Sequence, residues 1–159
     1  MADELKIGVV SCSGEDCLGG TISRLATRMM LDEIRPDETV TICLPLFLVG
    51  GEEERGFADA YPTIAVDGCD KCCAKRATDK YSGVVSDALI VSDIIGKDIA
   101  ESGALSTRSL TEEHRDMIKK VSREIRIKFD EVFNDCLKNP EKYNLKNEAA
   151  TGGCGCGCK

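Results

Sequence analysis

The chain contains no tryptophan, and aromatic residues make up only 4% of it. Base-stacking platforms are built from such rings, so recognition of single-stranded nucleic acid by stacking is excluded. Positive charge is also scarce: 21 Lys and Arg stand against 28 Asp and Glu, for a formal net charge of −7. A phosphate backbone needs a basic footprint, so nucleic acid is not an expected partner. No apolar run approaches the roughly 20 residues of a membrane-spanning helix. The opening Met-Ala-Asp-Glu-Leu-Lys is charged and lacks the apolar centre of a secretory leader. These absences predict a cytoplasmic protein that binds neither membrane nor nucleic acid.

Histidine is nearly absent too. His114 is the sole example, and it falls among charged residues in the first turns of a predicted helix, where a surface position is expected. Without a second histidine, zinc hydrolases built on His ligands and Cys–His nucleophiles have no support. The glycines of Gly14-Glu15-Asp16-Cys17-Leu18-Gly19-Gly20 follow neither the G-x-G-x-x-G order nor a G-K-[ST] ending, which argues against a nucleotide phosphate. Glu52, Glu53 and Glu54 suit the start of a helix better than a catalytic carboxylate pair.

What the chain does have is cysteine, ten in 159 residues, at positions 12, 17, 43, 69, 72, 73, 136, 154, 156 and 158. A disulfide scaffold belongs to small secreted chains that lack a sufficient core, and this chain is long enough to build one. Cys43 and Cys136 can be read as small buried hydrophobes. The run Cys69-Asp70-Lys71-Cys72-Cys73 and the tail Cys154-Gly155-Cys156-Gly157-Cys158 cannot. Thiols clustered in a reducing compartment point to a soft-metal site.

The pattern between the cysteines predicts an α/β fold. Leu5 to Val10, Thr39 to Leu44, Thr63 to Val66 and Ala88 to Val91 read as strands, short and apolar as expected when both faces are covered. Ile22, Leu25, Ala26, Met29, Met30 and Ile34 recur at helical spacing after a candidate N-cap at Thr21. Glu52 toward Tyr61 is a second predicted helix. A third starts near Cys69 or Asp70, and Ser92 would cap a short fourth through Ile95. Residues 99–109 read as a loop. Thr111 to Leu137 forms one long amphipathic helix, with Ile118, Val121, Ile125, Phe129, Val132, Phe133 and Cys136 on its apolar stripe. The expected architecture is a small parallel sheet of about four strands with flanking helices, a long C-terminal helix and a flexible Cys-rich tail. Residues 1–140 would be a single domain and 141–159 a linker and tail.

In an open parallel sheet, ligands bind beyond the carboxyl ends of the strands. Cys12, Cys43 and Cys69 fall at or near three such ends, and a helix starting at Cys69 would place Cys73 on the same face. Four sulfurs from three segments would then surround one ion. Cys72 is a rival ligand to Cys73, and Cys17 lies close enough to Cys12 to add a fifth sulfur. A helix N-terminus together with Lys71, Lys75 and Arg76 would lower the thiol pKa values. Four thiolates suit either a closed zinc site or an iron–sulfur cluster. In the tail, Cys154, Cys156 and Cys158 project to one side of an extended chain and could hold or pass on a soft ion.

Cys12-Ser13-Gly14, Cys43, Asp67-Gly68-Cys69 and Cys73-Ala74-Lys75 resemble the DGC-domain family, named for its Asp-Gly-Cys triplet. The resemblance implies zinc binding through four cysteines, which correspond here to Cys12, Cys43, Cys69 and Cys73. It also implies an origin among anaerobic bacteria and archaea. Cys17, Cys72 and the tail cysteines are additional to that pattern. Two functions follow as expectations: a metal-thiolate protein that delivers its ion with the help of the tail, or a sulfur-transfer enzyme carrying persulfide on Cys69 or Cys73. A dithiol redox protein using Cys69 with Cys72, or Cys12 with Cys17, leaves most thiols without a role. The long helix would dock a protein partner or a second copy of the chain.

Overall fold

Four short apolar runs form one sheet, and helices bury it on both sides. A computed structural model describes residues 5–143, apart from positions 13 and 15. Strands β1 (Ile7–Ser11), β2 (Thr39–Val40), β3 (Thr63–Asp67) and β4 (Asp87–Ile90) lie in the order β2-β1-β3-β4. Every neighbouring pair is parallel, with Gly8 opposite Thr63 and Ile64 opposite Asp87. Alternate side chains enter different cores, as the two-residue strand period requires. Ile7, Val9, Ile64, Val66 and Leu89 join the larger core, while Val10 and Ala65 join a smaller one with Phe47, Phe57 and Ala74.

Helix α1 (Leu18–Met29) covers the larger core through Leu18, Ile22 and Ala26, spaced four apart on one face. It starts earlier than the predicted Thr21, with Cys17 at the N-cap. Thr21 is instead buried inside the helix, and its hydroxyl donates to the Gly14 carbonyl at 3.3 Å. Residues Met30–Ile34 widen into a π-helical turn, closed by the Arg35 amide on the Met30 carbonyl at 2.9 Å.

Strand β2 ends at Val40 rather than Leu44, so Cys43 lies beyond it. The Thr41 hydroxyl bonds the Val9 carbonyl at 2.7 Å in place of a further ladder bond. The chain then curls through three one-turn helices, α2 (Leu46–Val49), α3 (Glu52–Arg55) and α4 (Phe57–Ala60). The helix expected from Glu52 to Tyr61 is divided at Gly56. After β3 come α5 (Cys73–Tyr81), then β4, α6 (Val91–Ile95) and α7 (Lys97–Ala100). Ile90, not Ser92, precedes the first turn of α6. Residues 99–109, expected as loop, include the end of α7 and a 3₁₀ turn at Thr107–Ser109.

Helix α8 (Glu112–Lys138) matches its predicted span closely. The His114 amide donates to the Thr111 hydroxyl at 3.4 Å, and the Thr111 amide donates to His114 Nδ1 at 3.1 Å. The single histidine therefore completes a reciprocal cap, in the place a Glu or Gln usually takes. The predicted stripe is core: Ile118, Val121, Ile125, Phe129, Val132 and Cys136 are buried, with α8 packed along α1. Each large side chain so buried contributes about 1.5–3 kcal/mol. Asp87 of β4 accepts Lys128 Nζ at 2.8 Å, and Asp130 accepts Arg35 at 2.6 Å, which fixes the helix lengthwise. Among the described residues, no helix is long and apolar enough to cross a membrane.

Candidate functional site

The strand order reverses about β1, since the chain goes from β1 to β2 on one side and returns to β3 on the other. The crevice beyond the carboxyl ends of β1 and β3 is therefore the topological switch point, where open α/β sheets bind ligands. Cys12 and Cys69 follow those two ends. The Cys12 amide extends the ladder by donating to the Val66 carbonyl at 3.0 Å. Its sulfur accepts the Gly68 amide at 3.3 Å and lies 3.3 Å from the Ser23 hydroxyl.

Asp67 organises the loop that carries Cys69 and Cys72. At the end of β3, and only 2% exposed, its carboxylate accepts the Ala74 amide at 2.6 Å and the Lys75 amide at 3.0 Å. These are N–H groups of the first turn of α5 that have no partner within the helix. Burial pushes the Asp67 carboxyl pKa up, and the two amides oppose that shift. A strand-end carboxylate thus caps a helix that begins several residues later. Residues 68–72 are pinned between the two, and Cys72 adopts the left-handed conformation at φ 49°. It is the only non-glycine residue with positive φ among those described. Strain of that kind persists where surrounding structure enforces it.

Glycine brings the two loops together. A Cβ on Gly68 would lie 2.3 Å from the Gly20 nitrogen, and one on Gly19 would lie 2.4 Å from the Gly68 carbonyl oxygen. Gly14, at φ 76°, contacts the Gly20 backbone equally closely. The glycines of the first loop thus serve backbone contact between the start of α1 and the Asp-Gly-Cys turn. That contact brings the loops of Cys17 and Cys69 side by side.

Cys17 and Cys69 line a cavity of about 370 Å³ together with Asp16, Asp70, Lys71, Lys97 and Glu101. Ion pairs Lys71–Asp16 at 2.9 Å and Lys97–Asp70 at 2.8 Å cross its rim. The Cys72 thiol pKa moves opposite to the sequence expectation. Burial raises the thiol pKa values of Cys12, Cys17 and Cys72. For Cys17 the neighbouring Cys69 and Cys12 add to the rise, and for Cys72 so do Asp67, Asp70 and Cys69. The nearby cations are engaged elsewhere, Lys71 with Asp16 and Lys75 with Asp79. Binding of a metal ion by these sulfurs would have to displace their protons.

Not all predicted ligands meet. Because β1, β2 and β3 are parallel, Cys12, Cys43 and Cys69 leave the sheet at one edge. Cys43 is exposed in the turn before α2, and Cys73 is exposed as the first residue of α5, two helices that pack together. The helix starts at Cys73, so the argument that Cys69 and Cys73 share one helical face fails. Cys69 lies instead in a turn closed by the Cys72 amide on its carbonyl at 3.2 Å. Among the described residues, no group of three or more His, Cys, Asp or Glu is close enough to hold a metal ion. Cys136 is buried under α8, far along the chain from the rim. Cys154, Cys156 and Cys158 lie outside the described residues. Sequence reasoning missed that the Cys17 and Cys69 loops press together, although Gly19-Gly20 and Gly68 carried a signal of close backbone approach.

An open parallel α/β domain with a thiol-rich rim at its switch point defines the class. The family model of the DGC domain matches residues 8–124, and the chain belongs to that family. Comparison with curated proteins and with solved structures finds no match.

Proposed function

We propose that the chain is a cytoplasmic metal-thiolate protein that holds zinc or an iron–sulfur cluster through Cys12, Cys43, Cys69 and Cys73. The observation that carries this reading is the meeting of the Cys12 and Cys69 segments at the switch point, where the Gly68 amide already donates to the Cys12 sulfur. Amide bonds to sulfur are the usual outer support of a thiolate ligand. Membership of the DGC family supports metal binding in general terms. Cys43, in the turn before α2, and Cys73, at the start of α5, are both exposed, which leaves them accessible to an incoming ion. Bound metal would supply charge neutralisation for the clustered thiolates, and the surrounding residues would orient them.

The tail cysteines Cys154, Cys156 and Cys158 would load the ion or pass it to a protein partner in anaerobic metallocofactor biology. The apolar stripe of α8 is occupied by the core, so such a partner would meet other faces of the molecule.

The test is purification without oxygen, followed by assay of metal, acid-labile sulfide and the visible spectrum. About one zinc per colourless chain selects the closed site, and iron with sulfide and a brown colour selects a cluster. Cys43→Ser and Cys73→Ser should each lower metal content, whereas Cys72→Ser should not. Deleting residues 144–159 should spare metal content and slow transfer to a chromophoric chelator. A chain with no metal, or with one extra sulfur atom on Cys69 or Cys73, would overturn the reading, and the extra sulfur would point to persulfide transfer.

A further inference from the structure

Cys17 is not needed by the four-cysteine set, yet it lines the same cavity as Cys69. Their approach is imposed by the backbone. Gly19 and Gly20 press on Gly68 too closely to admit a Cβ, and the two cysteines lie within two residues of that contact. The Leu18 amide on the Ser102 carbonyl at 2.8 Å, together with the bridge between Cys17 and Gly103, anchors the first loop from its other side. The chain entropy of bringing positions 17 and 69 together has already been lost on folding.

We infer that Cys17 and Cys69 form a redox dithiol, which a low-molecular-weight disulfide converts reversibly into an intramolecular disulfide. Both residues line the rim cavity, whose ion-paired side chains are mostly solvent-exposed, so a small charged disulfide can reach it. The ammonium and carboxylate groups of that rim complement a zwitterionic reagent of the glutathione type. Other candidates are held differently. The Cys12 sulfur is engaged by Ser23 and Gly68, Cys136 is buried in the core, and Cys72 is fixed in a left-handed turn.

Cys69, in the turn ahead of α5, takes the first step, while Cys17 is held at the start of α1 by its bridge to Gly103. Its thiolate attacks one sulfur of the reagent RSSR, and RS⁻ leaves, giving a mixed disulfide on Cys69. The Cys17 thiolate then attacks the Cys69 sulfur and expels the second RS⁻. Two cysteine thiols are oxidised, RSSR is reduced, and the two thiol protons end on two RSH. The disulfide itself does not depend on the proposed function. One consequence rests on that reading: Cys69 serves in both, so oxidation would withdraw a metal ligand.

The experiment uses the full chain, metal-free and reduced, equilibrated with mixtures of oxidised and reduced glutathione. Free thiols are then alkylated, and peptides are mapped by mass without reduction. The expected result is a dominant Cys17–Cys69 cross-link, two hydrogens lighter than the separate peptides and reversed by excess reduced glutathione. Cys17→Ser should instead accumulate glutathione on Cys69. A dominant cross-link between Cys69 and Cys72, between Cys12 and Cys17, or involving the tail would overturn the inference. So would Cys17→Ser with no adduct on Cys69. Metal uptake is measured separately on the reduced chain, so a failure of the metal reading and a failure of the dithiol are told apart.

Discussion

The carboxylate of Asp67 and the amide of Ala74 meet at 2.6 Å, so the last residue of β3 caps the helix that starts beyond the cysteine loop. The Asp-Gly-Cys triplet thereby acquires a division of labour. Asp67 fixes where the loop begins and ends, Gly68 admits the neighbouring backbone, and Cys69 is presented at the rim.

Removing the cap should be costly. Asp67→Ala leaves the amides of Ala74 and Lys75 without their acceptors, and an N-cap loss alone amounts to about 1–2 kcal/mol. Urea unfolding of Asp67→Ala should show that loss or more. Asp67→Asn keeps one acceptor oxygen and should lose less. Equal stability of Asp67→Ala and wild type would refute the capping role.

Gly68→Ala tests the backbone contact. The added methyl would lie 2.3 Å from the Gly20 nitrogen and 2.6 Å from the Gly19 carbonyl carbon, and neither can give way as a side chain would. Overpacking of this kind costs about 1–3 kcal/mol, and here it also separates the two loops. The variant should therefore lose stability and yield less Cys17–Cys69 cross-link. A stable variant with undiminished cross-linking would show that the contact does not hold the sulfurs together.

On α8, burial alone should separate two neighbours. Phe129 is 1% exposed beneath α1, and Ile127 is 51% exposed on the opposite face. Phe129→Ala should cost about 3–5 kcal/mol by leaving a cavity. Ile127→Ala should change stability by no more than about 0.5 kcal/mol. Comparable losses at both positions would mean that the outer face of α8 is covered in solution, as a docked partner or a second copy would require.

The sheet and α8 were legible because their signals are local. Ile7, Val9 and Val10, or Ile64 to Val66, are apolar runs too short for a helix, and the α8 stripe repeats over many turns. Where reading failed, distant contacts had decided. Gly19 and Gly20 are poor helix formers, so the start of α1 was hidden, yet they are needed there for contact with Gly68. The sequence puts the start of α5 near Cys69 or Asp70, because Asp-Gly reads as a turn leading directly into a helix. The structure delays it to Cys73, since Asp67 reaches across the loop to cap it. The sequence puts Cys12 and Cys69 beyond the ends of β1 and β3, as the structure does, but does not tell which loops press together. The approach of Cys17 to Cys69 depends on how two loops fold against each other, and no spacing along the chain encodes that.

Cys136 offers a test on the alkaline side. Burial pushes its thiol pKa from about 9 up to about 11, and the adjacent Asp135 carboxylate adds to the rise. Below pH 9 the thiol is protonated in folded and unfolded chains alike, so it contributes no pH dependence. Between those two values the unfolded chain releases a proton that the folded chain keeps, so rising pH favours unfolding. By pH 11 the loss from this one group should reach about 2 kcal/mol. Cys136→Ala removes the titration but leaves a small cavity, so at pH 7 it should be less stable by about 1 kcal/mol. That deficit should vanish between pH 9 and pH 11 and reverse, leaving the variant about 1 kcal/mol more stable by pH 11 as the wild type loses stability, which urea unfolding across the range would measure. Alkylation at pH 8 should likewise spare Cys136 in the folded chain and label it on unfolding. A stability gap that stays constant with pH would show that the thiol is not shielded as its position beneath α8 requires.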